Sequence, residues 1–485
     1  MPAHIEESRP RSILRSTHVM WAILIVFCLI SAGLSLLIPP MFVMAIVLVA
    51  VSVVFIVKYP FAGLILYLVV FLMRPAELYP ALEPLHMERL IGIAVLIISL
   101  IHHKWKSGKV YFPSDLGSKL MVVFMMMILF TWTYTFDSDA TQLVFETFMK
   151  LVIFYILITY EVNTKKRFNI FLGTFVILIA VIAFLAFRDY YGGGRQFTAG
   201  IERAVGRTSA GGNPNTLAGT LATALPLVIV FYRYYRNVFV RLVAVGIIGL
   251  LLLMIVNTGS RSGLLTLMGA VGTMIFFSKY RTISAVAAIM GMLIGWTLLP
   301  DQYRQRYETM VNDDRGIEDV SSGRVSIWMN GLRMIVQRPL TGVGGGAFRA
   351  ANASGNFGAP QDMQPHNLYI QLLAEYGLVG AAVWFILLGS TLRRLNRPRP
   401  PNTEASPDDN PELYDHNIWF DYMRQAIVAS AVGLMISGIF GHSLYRYTWY
   451  LLFALTAMIT KIYYEQLAPK QEPEPEAIEP VPETT

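Results

Sequence analysis

Apolar runs of about 17–22 residues recur from one end of this chain to the other, each long enough to cross roughly 30 Å of hydrocarbon. That recurrence leaves few folds open. With 55% of its 485 residues hydrophobic and only 15% charged, the chain is too apolar and too charge-poor for a soluble protein. The expected fold class is all-α, a polytopic integral membrane bundle of about 12–14 helices with one large polar loop between late helices. Spans are expected near 19–38, 41–57, 60–73, 88–103, 117–135, 143–160, 168–187, 215–235, 241–257, 262–278, 281–299, 367–389, 423–442 and 447–464. Pro39-Pro40 marks a tight reversal between the first two. Arg9, Arg11 and Arg15 precede an apolar run too long for a cleaved signal, so a retained anchor is expected.

Orientation follows from the basic residues of short loops. One set carries Lys104/Lys106/Lys109, Lys165-Lys166-Arg167, Arg233/Arg236/Arg241, Lys279/Arg281 and Arg393/Arg394/Arg397/Arg399. The alternate set, 74–88, 136–142, 188–214, 257–262, 300–366 and 441–447, has no lysine. The first set is therefore expected in the cytoplasm, with both termini. The net charge of +7 is a topology signal and not a nucleic-acid signature. The single cysteine, Cys28, excludes an internal disulfide. The expected organisation is a cytoplasmic segment 1–18, N-terminal spans 19–190, a core 191–390 with the outer loop 300–366, a flexible cytoplasmic connector 391–422, a C-terminal hairpin 423–464 and a disordered tail 465–485.

The outer loops avoid lysine yet are rich in arginine: Arg188, Arg195, Arg203, Arg207, Arg261 and seven between Arg304 and Arg349. Arginine's planar fork pairs bidentately with phosphate or carboxylate, so this face suits an anion held with geometry. In 300–366 the plainer reading is ordinary charge balance, since seven arginines meet seven acidic residues there. Arg261 fits that reading poorly. It sits in the short turn Asn257-Thr-Gly-Ser-Arg-Ser-Gly263, with no acidic residue within fifteen positions. Helices starting near 215, 262 and 367 all present N-termini outward, where free N–H groups favour anions. Asn213, Asn215 and Ser262 are candidate caps, and Arg207, Arg261 and His366 accompany the three starts.

His366 has the pKa range for a general base, although a lone histidine at a helix start is more often a cap or interface residue. Asn367, Gln371 and Glu375 follow at i, i+4, i+8, one polar stripe on an apolar helix. Glu375 is expected either to pair with an arginine or to orient the site. Ser321-Ser-Gly-Arg324, with Val325, Trp328, Leu332 and Ile335 ending at Pro339, reads as a capped amphipathic helix lying over the bundle. The run Gly342–Gly346 is either a flexible segment or a close approach to phosphate. Lys150 and Glu146 are expected to pair at i, i+4. No metal-ligand spacing is present, and neither a metal nor a cofactor is expected.

The set Gly206-Arg-Thr-Ser, Asn213-Pro-Asn215, Thr258-Gly-Ser-Arg261-Ser-Gly, Ser322-Gly-Arg324-Val-Ser-Ile-Trp328, Pro339-Leu-Thr-Gly-Val-Gly and His366-Asn-Leu-Tyr with Glu375-x-Gly-x-x-Gly380 resembles the O-antigen ligase and polymerase family of bacterial membrane glycosyltransferases. It covers about 200 to 390. Met73-Arg-Pro-Ala-Glu-Leu-Tyr-Pro80 also resembles a subgroup found with exosortase-type exopolysaccharide loci. The resemblance implies a fold of the C-type glycosyltransferase kind in the bacterial inner membrane, with a periplasmic site. Such enzymes move a glycan from an undecaprenyl diphosphate carrier to an acceptor hydroxyl without metal. The acceptor would be a glycan, a lipid-A core or a protein. Carried over, Arg207, Arg261 and Arg324 would hold the diphosphate and His366 would act as base, with Asn367, Gln371, Glu375, Asn213 and Asn215 in support. Rival readings are a polymerase of lipid-linked repeat units, a protein O-oligosaccharyltransferase, and a transporter or flippase of lipid-linked glycans. Polar groups gathered at one face favour a one-sided site over transport.

Overall fold

The computed structural model describes residues 55–108, 115–198, 200–208, 212–308, 322–398, 406–441 and 443–467. The chain divides into two compact units after Gly63, and the site considered below lies in the second. The expected spans 19–38 and 41–57, with Cys28, fall outside the described residues apart from 55–57.

The described chain is helical almost throughout. Its helices are α1 (Pro60–Met73), α2 (Pro75–Leu78), α3 (Met87–Ser107), α4 (Leu116–Thr131), α5 (Ser138–Glu161), α6 (Lys165–Tyr191), α7 (Pro214–Tyr234) and α8 (Val238–Asn257). Then come α9 (Arg261–Phe276), α10 (Arg281–Leu298), α11 (Asp301–Glu308), α12 (Ser322–Gln337), α13 (Phe348–Ala353), α14 (Leu368–Leu395), α15 (Pro411–Gly438) and α16 (Tyr447–Leu467). A two-stranded antiparallel hairpin, β1 (Gln196–Thr198) with β2 (Ile201–Arg203), follows α6. Local chemistry sets many of the starts. Asp115, Asp137, Thr164, Asn213, Asn237, Ser260, Asn367 and Asn410 each accept a first-turn N–H on a side-chain oxygen. Ser260, rather than the expected Ser262, caps α9.

Seven of the described helices are long and apolar enough to cross a membrane, and α4, α9 and α10 are shorter apolar helices. This is a polytopic helical membrane protein. Helices α7, α8, α9 and α15 form one packed group, with α9 and α15 the most extensive pairing, while α4, α5, α14 and α16 form another. Helices α15 and α16 join the two. Small residues let α7, α9 and α15 approach closely. A Cβ on Gly263 would stand 2.3 Å from that of Ala218, and one on Gly433 would stand 2.9 Å from the Thr266 carbonyl oxygen.

Three expectations are corrected here. Lys150 does not pair with Glu146: its Nζ lies 3.1 Å from Glu88 on α3, while Glu146 takes Arg89. A neighbouring helix start supplies the charges that the i, i+4 spacing was expected to supply. The connector 391–422 is largely helical where described, because α14 runs on to Leu395 and α15 begins at Pro411. The glycine run is neither loose nor open to a ligand. Helix α14 breaks at Gly377 (φ 63°), freeing carbonyls of the preceding turn. The Ala374 carbonyl accepts from Val343 N–H at 2.9 Å and the Glu375 carbonyl from Gly344 N–H at 3.1 Å, while Leu378 N–H donates to Pro339 at 2.7 Å. The loop is stitched along the kink.

Gly342 has φ +69°, and a Cβ there would meet the Glu375 carbonyl carbon and oxygen at 2.4 Å. Gly342→Ala is therefore expected to cost about 2–3 kcal/mol and lower the unfolding midpoint of the detergent-solubilised protein. Gly246→Ala, on an open face of α8 with nothing within 4 Å, should leave it unchanged. Equal midpoints for both variants would contradict the stitched kink.

Candidate functional site

The starts of α7 and α9 meet through one side chain. Asn215 Oδ1 accepts from Ser260 Oγ at 2.8 Å and from Arg203 Nη2 at 2.9 Å. Arg203, at the end of β2, is buried, and its Nε also donates to the Thr258 carbonyl at 2.6 Å. Arg306 on α11 donates to the next carbonyl, that of Gly259, at 2.8 Å. Carbonyls at the end of α8 carry partial negative charge and suit such donors. The turn just before Arg261 is thus gripped by two further arginines. Gly259 is required there: its φ is 54°, and a Cβ would lie 2.5 Å from Ile201.

Arg261 opens α9 beside these groups. Its charge is felt at Arg203, Arg306 and Arg324, and burial followed by that repulsion lowers the pKa of Arg324. Burial and then Arg306 bring Arg203 down to about 10, while Arg306 is lowered by burial and then Arg261. All stay cationic at neutral pH. Among the described residues, Arg203, Arg261 and Arg324 form no salt bridge.

Arg324 lies in the first turn of α12, and its charge reaches His366, whose imidazole burial and then Arg324 hold below its ordinary range. His366 is therefore neutral near pH 7, the form a base needs. It sits at φ 47°, a left-handed conformation that costs a non-glycine residue roughly 1 kcal/mol or more. Its neighbours hold it there. Trp328 Nε1 donates to the Pro365 carbonyl at 2.7 Å, and Asn367 caps α14 by accepting from Tyr369 and Ile370 N–H at 2.9 and 3.1 Å. Asn330, buried on α12, bonds Asn352 at 2.8 Å and the Ala359 carbonyl at 2.9 Å, tying down the approach to His366.

The buried face of α12 is Ile327, Asn330, Gly331 and Met334, one step round from the apolar stripe expected on Val325, Trp328, Leu332 and Ile335. Val325 and Leu332 are exposed at 53% and 47%. That leaves α12 an outward apolar face suited to the membrane surface.

Of the residues expected in the site, Arg324 feels the charge of Arg261 and His366 that of Arg324, while Asn215 bonds Ser260, the residue before Arg261. Arg203 and Arg306, which the sequence offered only as members of a large set, hold the same turn. Arg207 has an acidic partner. It is half exposed, pairs through Nη2 with Asp189 at 2.8 Å, and lines an open groove of about 480 Å³ with Arg188, Gly192 and Gly194. Asn213 caps α7 by accepting from Thr216 N–H at 2.8 Å. Gln371 and Glu375 are buried, but Glu375 has no arginine partner among the described residues. Gln371 Nε2 donates to it at 3.1 Å and Tyr445 Oη at 2.5 Å. Neutral donors stand where an arginine partner was one of the two expectations, one from the same helix and one from the loop before α16. Among the described residues no group of His, Cys, Asp and Glu could hold a metal ion.

Ser260→Ala removes both the α9 cap and the link to Asn215. It is expected to cost about 1–2 kcal/mol, read as a lower unfolding midpoint, whereas an unchanged midpoint would show that the α7–α9 junction stands without it.

Residues 246–385 match the family model described as O-Antigen ligase. No curated protein matches the chain. The matched stretch contains Arg261, Arg306, Arg324 and His366 and stops short of Arg203, Arg207 and Asn215. Residues 246–385 are therefore similar to the O-antigen ligase family over somewhat less than a third of the chain, and that similarity supports a glycosyltransferase-like membrane function.

Proposed function

We propose that this chain, whose residues 246–385 match the O-antigen ligase model, transfers a glycan from an undecaprenyl diphosphate carrier to an acceptor hydroxyl, at the periplasmic face of a bacterial inner membrane. One observation carries the reading. Burial, and then the charge of Arg261, lowers the proton affinity of Arg306 and Arg324; Arg203 is lowered by burial, then Arg306 and also Arg261; and burial, then Arg324, does the same to the His366 imidazole. Mutual repulsion of that kind is relieved by a polyanion. A diphosphate offers several oxygens to planar forks that grip bidentately.

The step follows from the groups present. His366 takes the proton of the acceptor hydroxyl, and the oxygen attacks the anomeric carbon of the donor sugar. The bond from that carbon to the diphosphate oxygen breaks, and the diphosphate leaves with the electron pair. Negative charge grows on the departing oxygens, where preorganised donors contribute about 3–4 kcal/mol each by analogy with oxyanion sites. A positioned base adds about 10²–10⁴-fold. A single displacement inverts the anomeric configuration, and the proton on His366 passes to solvent. The isoprenoid chain remains in the bilayer, reaching the site from the side of α12 with its outward apolar face. The acceptor, whether a lipid-A core, a growing repeat-unit glycan or a protein hydroxyl, is the feature on which ligase, polymerase and protein-glycosylating readings differ.

His366→Ala and Arg261→Ala are expected to insert and fold but to lose transfer from an undecaprenyl-diphosphate-linked donor by at least about 10²-fold. Because guanidinium groups supply the charge, a chelator should leave the wild-type rate unchanged. Wild-type rates in either variant would overturn the assigned roles.

The pH dependence has a definite sign. A base whose pKa is lowered works above that pKa and is lost as pH falls through it, so the acidic limb of kcat/KM should lie below about 6.5. Arg324→Gln removes a positive neighbour, stabilises the imidazolium and should move that limb to higher pH. A shift the other way would exclude His366 as the titrating base.

A further inference from the structure

A guanidinium outside the matched stretch lies against the same helix start. Arg446, in the short loop between α15 and α16, donates through Nη2 to Thr216 Oγ1 at 3.0 Å. Thr216 follows Asn215, which holds Arg203 and Ser260. Two arginines from distant parts of the chain thus grip adjacent residues of the first turn of α7. Arg446 is partly buried and makes no salt bridge among the described residues. A charge withdrawn from water between apolar helices needs a counter-charge. Gly219, one turn further along α7, makes way for the guanidinium itself: a Cβ there would stand 3.1 Å from Arg446 Nη1.

The loop that carries Arg446 is fixed from the side of α14. Tyr445 Oη donates to the fully buried Glu375 at 2.5 Å and shares a hydrogen bond with Tyr376 Oη at 2.7 Å. Arg446 N–H donates to the Ser443 carbonyl at 3.1 Å, and Tyr450 Oη donates to the Leu444 carbonyl at 2.8 Å. Glu375 thereby finds a use that needs no arginine. It holds Tyr445, and Tyr445 sets the position of the next residue.

We propose that Arg446 is a further binding residue for the diphosphate head of the donor, approaching it along the first turn of α7 whose Asn215 holds Arg203, and that Glu375 and Tyr445 are its positioning residues. This rests on the donor reading above. Arg446 meets the anion from the α15–α16 side, whereas Arg261 and Arg324 meet it from α9 and α12. The head group is then gripped by parts of the chain far apart in sequence, which explains an uncompensated arginine so distant from the matched residues.

The test is binding of undecaprenyl diphosphate, with undecaprenol as the uncharged control, to full-length protein in detergent. Arg446→Gln is expected to weaken diphosphate binding about 10- to 100-fold, the size of one lost charge-assisted contact, and to leave undecaprenol binding as it was. Arg446→Lys should recover part of the loss. Gly219→Ala, which crowds the guanidinium without removing it, and Tyr445→Phe, which frees the loop from Glu375, should each raise the KM for donor more than they lower kcat. If Arg261→Gln loses diphosphate binding while Arg446→Gln binds like wild type, this inference falls and the donor reading stands. If wild-type protein does not prefer the diphosphate to the alcohol, both fall. Should Arg446→Gln fail to fold, wild-type KM in both Gly219→Ala and Tyr445→Phe would overturn the inference.

Discussion

Like charges held together without carboxylates are the constraint around which this molecule is arranged. Two guanidinium groups roughly 8 Å apart repel by about 2 kcal/mol at an effective dielectric near 20, and here several share one end of a helical bundle. The protein offsets part of that repulsion with backbone: consecutive carbonyls at the end of α8, those of Thr258 and Gly259, accept from Arg203 and Arg306. What it does not do, among the described residues, is neutralise Arg203, Arg261 and Arg324 with acids. Other arginines of this face are treated differently. Arg207 and Arg349 are paired with Asp189 and Asp362 and stand exposed.

Holding the unpaired set demands rigidity, and the hydrogen bonds of the site are spent on it. Asn215 joins the starts of α7 and α9, and Asn367 caps α14 directly after the strained His366. Trp328 and Asn330 fix the segment before it from α12. The kink at Gly377 lets the loop 339–346 lie along α14, so α12 and α14 are joined by backbone hydrogen bonds as well as side chains. A site whose charges repel one another would otherwise relax by moving them apart.

How much of this could be read in the sequence depends on whether the deciding interaction is local. Apolar runs and caps are local, so the helical membrane class and most of the helix starts were legible. Arg261 stood out because its own neighbourhood holds no acid to balance it. Arg203 did not, since a turn at Gly200 and a strand pair decide that it faces inward while Arg207, four residues on, faces Asp189. Lys150 misled for the same reason: its partner Glu88 is distant in sequence, and Glu146 merely lies nearby. Glu375 was expected to pair with an arginine or to orient the site, and the partner it takes, Tyr445, lies 70 residues away in sequence. Arg446 hid in a loop notable only for lacking lysine.

The most direct test is an experimental density map of the protein in lipid with bound undecaprenyl diphosphate. The account predicts the diphosphate oxygens within hydrogen-bonding reach of Arg261 and Arg324, with the His366 ring on the side where an acceptor would enter. A head group bound elsewhere, or Arg261 and Arg324 found in salt bridges with acidic residues of 309–321, would contradict it.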